Sequence, residues 1–64
     1  MATYVWVLLD ASGAELRTTE PFESQKDAEA WMGHEWSSLL DEGGEYVSLR
    51  SDGEQVYRMG LREG

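Results

Sequence analysis

Two adjacent residues, His34 and Glu35, carry the side chains best suited to acid and base chemistry in this chain. Imidazole has an unperturbed pKa near neutrality, and desolvation disfavours the charged form of a carboxylate among apolar groups, as in enzymatic general acids. Glu35 falls between Trp31 and Leu39 on the apolar side of a predicted helix, whereas His34 lies on the opposite side. Because the edge of that apolar side lets Glu35 reach solvent or a cation, we predict no catalytic residues and no enzyme activity.

The other motifs for catalysis, metals and cofactors are incomplete. No serine lies in a G-x-S-x-G turn, and the single histidine offers only one base for a nucleophilic triad. Without cysteine, neither a Cys-type zinc site nor a disulfide is possible. The stretch 41–45, Asp-Glu-Gly-Gly-Glu, lacks the ligand spacing of an EF-hand, and the glycines match neither a P-loop nor a dinucleotide fingerprint. We therefore expect no metal and no cofactor.

Charge narrows the classes of partner. The 64 residues include 13 acidic and 5 basic side chains, for a net charge of −8. A chain with this excess of negative charge is repelled by phosphate backbones and anionic lipid surfaces, so we expect it to bind neither nucleic acid nor membrane. The longest apolar run, residues 5–9, is far shorter than the roughly 20 residues of a membrane span. The lack of cysteine and of a signal-peptide pattern predicts a cytoplasmic protein, and the lack of isoleucine and asparagine suggests a GC-rich bacterial genome.

The elements that position these residues are two strands, a helix and a final hairpin. Residues 4–9 are rich in β-branched and aromatic side chains, and residues 14–19 form a return strand that ends before Pro21 and suits a sheet edge. Ser24 has the form of an N-cap, and Gly43 and Gly44 supply a residue that can terminate the helix with positive φ. A helix over residues 25–41 is predicted, and its apolar side comprises Ala28, Trp31, Met32, Trp36, Leu39 and Leu40.

Residues 46–50 and 55–61 form the predicted hairpin around Ser51, Asp52 and Gly53. A two-residue loop pairs Leu49 with Val56, whereas a three-residue loop with a glycine bulge pairs Arg50 with Glu54. We favour the second register, because it puts apolar residues on one side of the hairpin, namely Val47, Leu49, Tyr57 and Met59. The predicted fold is one α+β domain, residues 1–64, of ββαββ type, with a four-stranded, mainly antiparallel sheet and the helix packed on one face.

The first strand is apolar on both sides, and one helix covers only one of them. We expect the aliphatic side, Val5, Val7 and Leu9, to meet the helix. The open face then carries the predicted protein-interaction residues, which are Tyr4, Trp6, Leu8, Tyr46 and Arg50.

Several functions are consistent with such an open face. The side chains can pack with one another and with arginine stems without binding anything, two copies can stack as a homodimer, or another protein can bind. We predict a non-enzymatic protein-interaction or accessory module. The alternatives are an acidic mimic of nucleic acid that binds a basic protein and, less favoured, an enzyme that uses Glu35 and His34.

Overall fold

The structure, a computed structural model, describes residues 3–62. These residues contain four strands and one helix. The predicted α+β fold is confirmed. Neighbouring strands are antiparallel, and their order across the sheet makes the first and third strands central and the second and fourth strands its edges. The elements are β1 (Tyr4–Leu9), β2 (Glu15–Thr18), α1 (Gln25–Asp41), β3 (Tyr46–Ser51) and β4 (Glu54–Gly60), and the sheet order is β2-β1-β3-β4.

Helix α1 begins and ends where its capping residues predict. The Ser24 Oγ accepts a hydrogen bond from the Asp27 N–H at 3.1 Å. At the other end Gly43 has φ 96°, and the N–H groups of Gly43 and Gly44 donate to carbonyl oxygens of the last helical turn. These bonds form a Schellman motif. Within residues 3–62, no helix combines the length and the apolar character needed to cross a membrane.

Gly44 also makes room for a core side chain. A Cβ atom at this position would clash with Leu8 Cδ1 and lie 3.0 Å from the backbone oxygen of Leu39. The absence of a side chain at Gly44 therefore lets the end of α1 approach β1 closely.

Helix α1 covers the side of β1 that carries Tyr4, Trp6 and Leu8, so the prediction that these residues lie on the open face is wrong. Trp6 and Leu8 are 1% and 2% exposed, and Tyr4 is partly buried against the same core. The indole N–H of Trp6 donates to the Ala28 carbonyl oxygen on α1 at 2.8 Å. This bond satisfies the polar atom of a buried indole and joins the helix to β1.

The register between β1 and β3 decides which side of β1 is buried. Leu49 lies opposite Trp6, and Val47 lies opposite Leu8. Directly paired residues of antiparallel strands place their side chains on the same face. Because β3 is strongly apolar on only one side, the buried apolar residues of that side, Val47 and Leu49, bring Trp6 and Leu8 under the helix. Val5, Val7 and Leu9 consequently lie on the open face.

The turn between β3 and β4 has two residues, Asp52 and Gly53, between the paired Ser51 and Glu54. The φ angles of Asp52 and Gly53 are 52° and 86°. Positive φ at both central positions is typical of a type I′ turn, whose twist matches that of the flanking strands.

A bulge follows this turn, so neither predicted pairing across the hairpin occurs. Arg50 pairs with Gln55 and Leu49 pairs with Tyr57, which leaves Val56 as the extra residue. A two-residue loop alone would place Val56 opposite Leu49 and turn Tyr57 to the other face. The extra residue in the bulge returns Tyr57 to the face of Leu49. The predicted grouping of side chains is therefore correct although the predicted pairs are wrong: Val47, Leu49, Tyr57 and Met59 share the helix-facing side.

Candidate functional site

Helix α1 lies over β1 and leaves part of the helix-facing side of β4 uncovered. A helix about 10 Å wide covers only about two strands that are spaced about 4.8 Å apart. Since β4 is two positions away from β1 in the sheet, a groove of about 400 Å³ remains between α1 and β4. Its apolar lining, which defines the α1–β4 groove, includes Trp6, Met32, Trp36, Met59 and Leu61.

The α1–β4 groove has a buried floor and an exposed apolar rim. Trp6, Met32 and Leu61 are buried, whereas Trp36 on the helix is 48% exposed and Met59 on β4 is 38% exposed. An indole provides a large rigid contact surface, and a thioether adapts to irregular shapes. Large apolar side chains at the edge of a groove are typical of sites where another molecule binds.

One end of the groove is polar and negatively charged. The Tyr57 hydroxyl donates to Glu29 Oε2 at 3.3 Å, and Gln25 Nε2 donates to the same oxygen at 2.9 Å. Burial raises the pKa of Tyr57, and the charge of Glu29 and its hydrogen bond act in the same direction. Among the lining residues within 3–62, Glu29 is the one that carries a charge, so the groove offers a carboxylate to a ligand.

Gly33 lies in the middle of α1 and lines the same groove. A Cβ atom at this position would meet no atom within 4 Å. Glycine inside a helix costs about 0.5–1 kcal/mol relative to alanine. The surrounding described residues do not require a glycine here, and the free space above it belongs to the groove.

Two of the predicted interaction residues, Tyr46 and Arg50, do lie on the open face, but other side chains shield this face. The Arg58 guanidinium lies 4.5 Å from the centre of the Tyr46 ring. Arg50 on β3 pairs with Glu15 on β2 at 3.2 Å, so the ion pair spans the intervening strand β1. Val7 on that strand is buried without a helix above it. This arrangement matches the alternative in which arginine stems cover the sheet.

The residues considered for acid and base chemistry do not lie in the groove lining. His34 is exposed, Glu35 is half-buried, and the two side chains leave the helix about 100° apart. Glu42, in the acidic stretch after α1, pairs with Arg17 at 3.2 Å. That the chain is not an enzyme stays a prediction.

The carboxyl group of Asp10 shapes the turn after β1. Its Oδ1 accepts hydrogen bonds from the Ser12 hydroxyl at 2.6 Å, the Ala14 N–H at 3.0 Å and the Ser12 N–H at 2.9 Å. Hydrogen bonds from Ser12 and then Ala14 lower the pKa of Asp10, because they stabilise the ionised form. These contacts are local, and we assign Asp10 a structural role in the turn.

Trp36 lies on the predicted apolar side of α1 and Met59 on the predicted apolar side of the hairpin, but the exposure of both side chains was not predicted. The angular position of Trp36 holds a signal: at about 100° per residue it lies roughly 60° from the line of the three buried helix residues, Ala28, Met32 and Leu39, so it flanks that line. No comparable signal exists for Met59, since its exposure depends on how far β4 lies from the helix.

Comparisons with known proteins add no functional information. No protein-family model, curated protein or solved structure matches the chain.

Proposed function

We propose that this chain is a non-enzymatic interaction module that binds a protein partner through the α1–β4 groove. One observation carries the proposal: Trp36 and Met59 are 48% and 38% exposed on opposite sides of an apolar groove. Covering such side chains removes apolar area from water at about 25 cal/mol per Å². The groove replaces the open face as the binding surface, because arginine side chains and Tyr46 shield that face.

The charge of the chain favours a different protein over a second copy as the partner. At a net charge of −8, two copies repel each other, whereas a partner with basic residues is attracted. A cytoplasmic setting, as expected from the sequence, is part of the proposal. Fractionation of host cells with an antibody against the chain tests that setting.

The test of the proposal compares Trp36→Ala with Leu16→Ala. Leu16 on the edge strand β2 is 45% exposed, nearly as much as Trp36, but it does not line the groove. Wild-type and variant proteins serve as baits in host lysate, and each partner recovered is then purified and titrated by calorimetry. We expect Trp36→Ala to weaken binding at least tenfold, as for an aromatic anchor of an interface, and Leu16→Ala to change it less than about twofold.

Circular dichroism establishes that both variants are folded before binding is compared. Equal binding by wild type and Trp36→Ala, with all proteins folded, contradicts the groove as the binding surface. Loss of binding on Leu16→Ala alone instead assigns the interface to the side of β2.

An acidic mimic of nucleic acid is the second candidate function. It is favoured by the exposed carboxylates along and just after α1, which are Asp27, Glu29, Asp41 and Glu42. Such a mimic binds a basic protein in competition with DNA, and the binding weakens steeply with salt. Replacing Asp27 and Asp41 by asparagine abolishes binding in this case, whereas groove binding depends on Trp36.

A further inference from the structure

We infer that the occupant of the α1–β4 groove is an extended segment of another protein, which adds to β4 as a fifth strand and places a Lys or Arg near Glu29. This inference rests on the proposed function and specifies the conformation and chemistry of the partner. Three features of the described residues support it: the edge strand beside the groove, the single carboxylate in its lining, and the unfilled space at Gly33.

The edge strand provides backbone groups for pairing. β4 pairs with β3 on one side, and within residues 3–62 no strand pairs with its other side. Beyond the bulge at Val56, β4 is regular through Tyr57, Met59 and Gly60, which are also groove-lining residues. An added strand therefore places every second side chain against the groove while its backbone bonds to β4, as in β-strand addition.

Charge and spacing define the side chains of the added strand. Glu29 lies at the Tyr57 end of the groove, and Trp36 and Met59 form its apolar rim. Tyr57 and Met59 are two residues apart, which is about 7 Å along a strand. A segment with a basic residue two positions from a large apolar residue matches this spacing, in either strand direction. The net charge of −8 also favours a basic segment over a second copy of this chain.

Gly33 leaves room for a bound segment to approach α1 closely. Its missing side chain leaves the helix backbone open toward the groove, and no described residue fills that space. A large side chain of an added strand fits there. Adding a methyl group by Gly33→Ala should therefore hinder the partner while leaving the fold intact.

The experiment selects peptides from a random phage-displayed library about ten residues long, a length that suits one strand. Immobilised baits are wild type, Trp36→Ala and the control Leu16→Ala, each shown to be folded. We expect peptides retained by wild type and Leu16→Ala, but about tenfold weaker on Trp36→Ala, with basic and apolar residues two positions apart. N-methylation of the backbone nitrogens along the edge of such a peptide that pairs with β4 should weaken its binding about tenfold, because it removes donors of the ladder hydrogen bonds. N-methylation along the other edge should leave binding unchanged.

The outcomes separate this inference from the proposed function. One outcome overturns strand addition and leaves groove binding in place. In it, the selected peptides depend on Trp36, but their apolar residues are three and four positions apart, as in a helix, and they tolerate N-methylation on both edges. Peptides that ignore Trp36→Ala overturn both. A dimer in light scattering that Trp36→Ala dissociates also overturns the inference, because a second copy would then occupy the groove.

Discussion

The two sides of α1 face opposite edges of the sheet and are closed to different degrees. On the side of β2, the connection to the helix runs back along β1: Phe22 and Tyr4 exchange two backbone hydrogen bonds, and the Phe22 ring lies 5.7 Å from the Trp31 ring. On the side of β4, no described segment lies between the helix and the strand, and Trp36 stays half exposed.

The same residue type therefore has a different role on each side. Trp31 and Trp36 flank one helix, but among residues 3–62 only Trp31 meets an aromatic partner supplied by a connecting segment. The β2 edge is also protected from strand addition, since β2 has four residues, contains a bulge and precedes Pro21. β4 has seven residues, with its bulge near its start. The open side of the helix and the accessible sheet edge thus coincide.

The largest expected effect comes from removing the side chain that holds the helix over β1. Trp6→Ala should destabilise the domain by about 3–5 kcal/mol, because it leaves a cavity and deletes the bond to Ala28. A domain of this size has only about 3–10 kcal/mol of stability, so much of the population should unfold. Thermal unfolding followed by circular dichroism measures the loss. Trp6→Phe, which keeps an aromatic ring but not the indole N–H, should lose less; wild-type stability of Trp6→Ala would mean that other contacts position α1.

The comparison of the two helix flanks is tested by two tryptophan variants. Trp31→Ala should cost about 2 kcal/mol, because it removes a partly buried ring packed against Phe22. Trp36→Ala should cost less than about 1 kcal/mol, because its ring is half exposed. Urea titrations provide both values. Similar losses for the two variants would show that the groove side contributes as much to the fold as the closed side.

A smaller effect of opposite sign is expected at Gly33. Gly33→Ala should stabilise the chain by about 0.5–1 kcal/mol, since the added Cβ meets no atom and the unfolded chain loses conformational freedom. The same urea titration measures the gain. Gly44→Ala is the matched control and should destabilise the domain, because its Cβ clashes with Leu8. A destabilised Gly33→Ala variant contradicts the description of Gly33 as facing free space.

The smallest effect concerns the polar end of the groove. The pKa of Tyr57 is raised in the folded chain, so the neutral phenol is favoured by folding. This contribution to stability is fully present below the unfolded pKa of about 10 and is lost as pH rises through the folded value. Glu29→Gln should lower the pKa of Tyr57 only in part, since burial is the largest cause. An NMR titration of Tyr57 measures this, and an unchanged pKa would show that Glu29 has no influence.

Most of the fold follows from local signals in the sequence. The bounds of α1 match the prediction because Ser24 and Gly43 satisfy the backbone groups at its two ends. The turn at Asp52 and Gly53 follows from their tolerance of positive φ. The residue pairs across that hairpin do not follow from local signals. The two-residue turn with a bulge at Val56 gives the same apolar grouping as the favoured three-residue loop, so the apolar pattern does not distinguish the two.

The sequence predicted the kind of candidate site but not the residues that form it. An exposed aromatic surface was expected, but it was assigned to the wrong residues. The sequence around Trp6 does not show whether its side chain lies in the core or on the surface, because β1 is apolar on both sides. Tyr46 and Arg50 lie on the predicted face, and there they are engaged by Arg58 and Glu15.

By itself, the sequence determined the elements, their order and the apolar side of β3, because capping, turn geometry and alternation act over a few residues. Only the tertiary structure decided that Leu49 faces Trp6 and that α1 lies over β1. Both depend on contacts between residues distant in the chain. From them follow the burial of Trp6 and the groove beside β4, since one helix is too narrow to cover four strands.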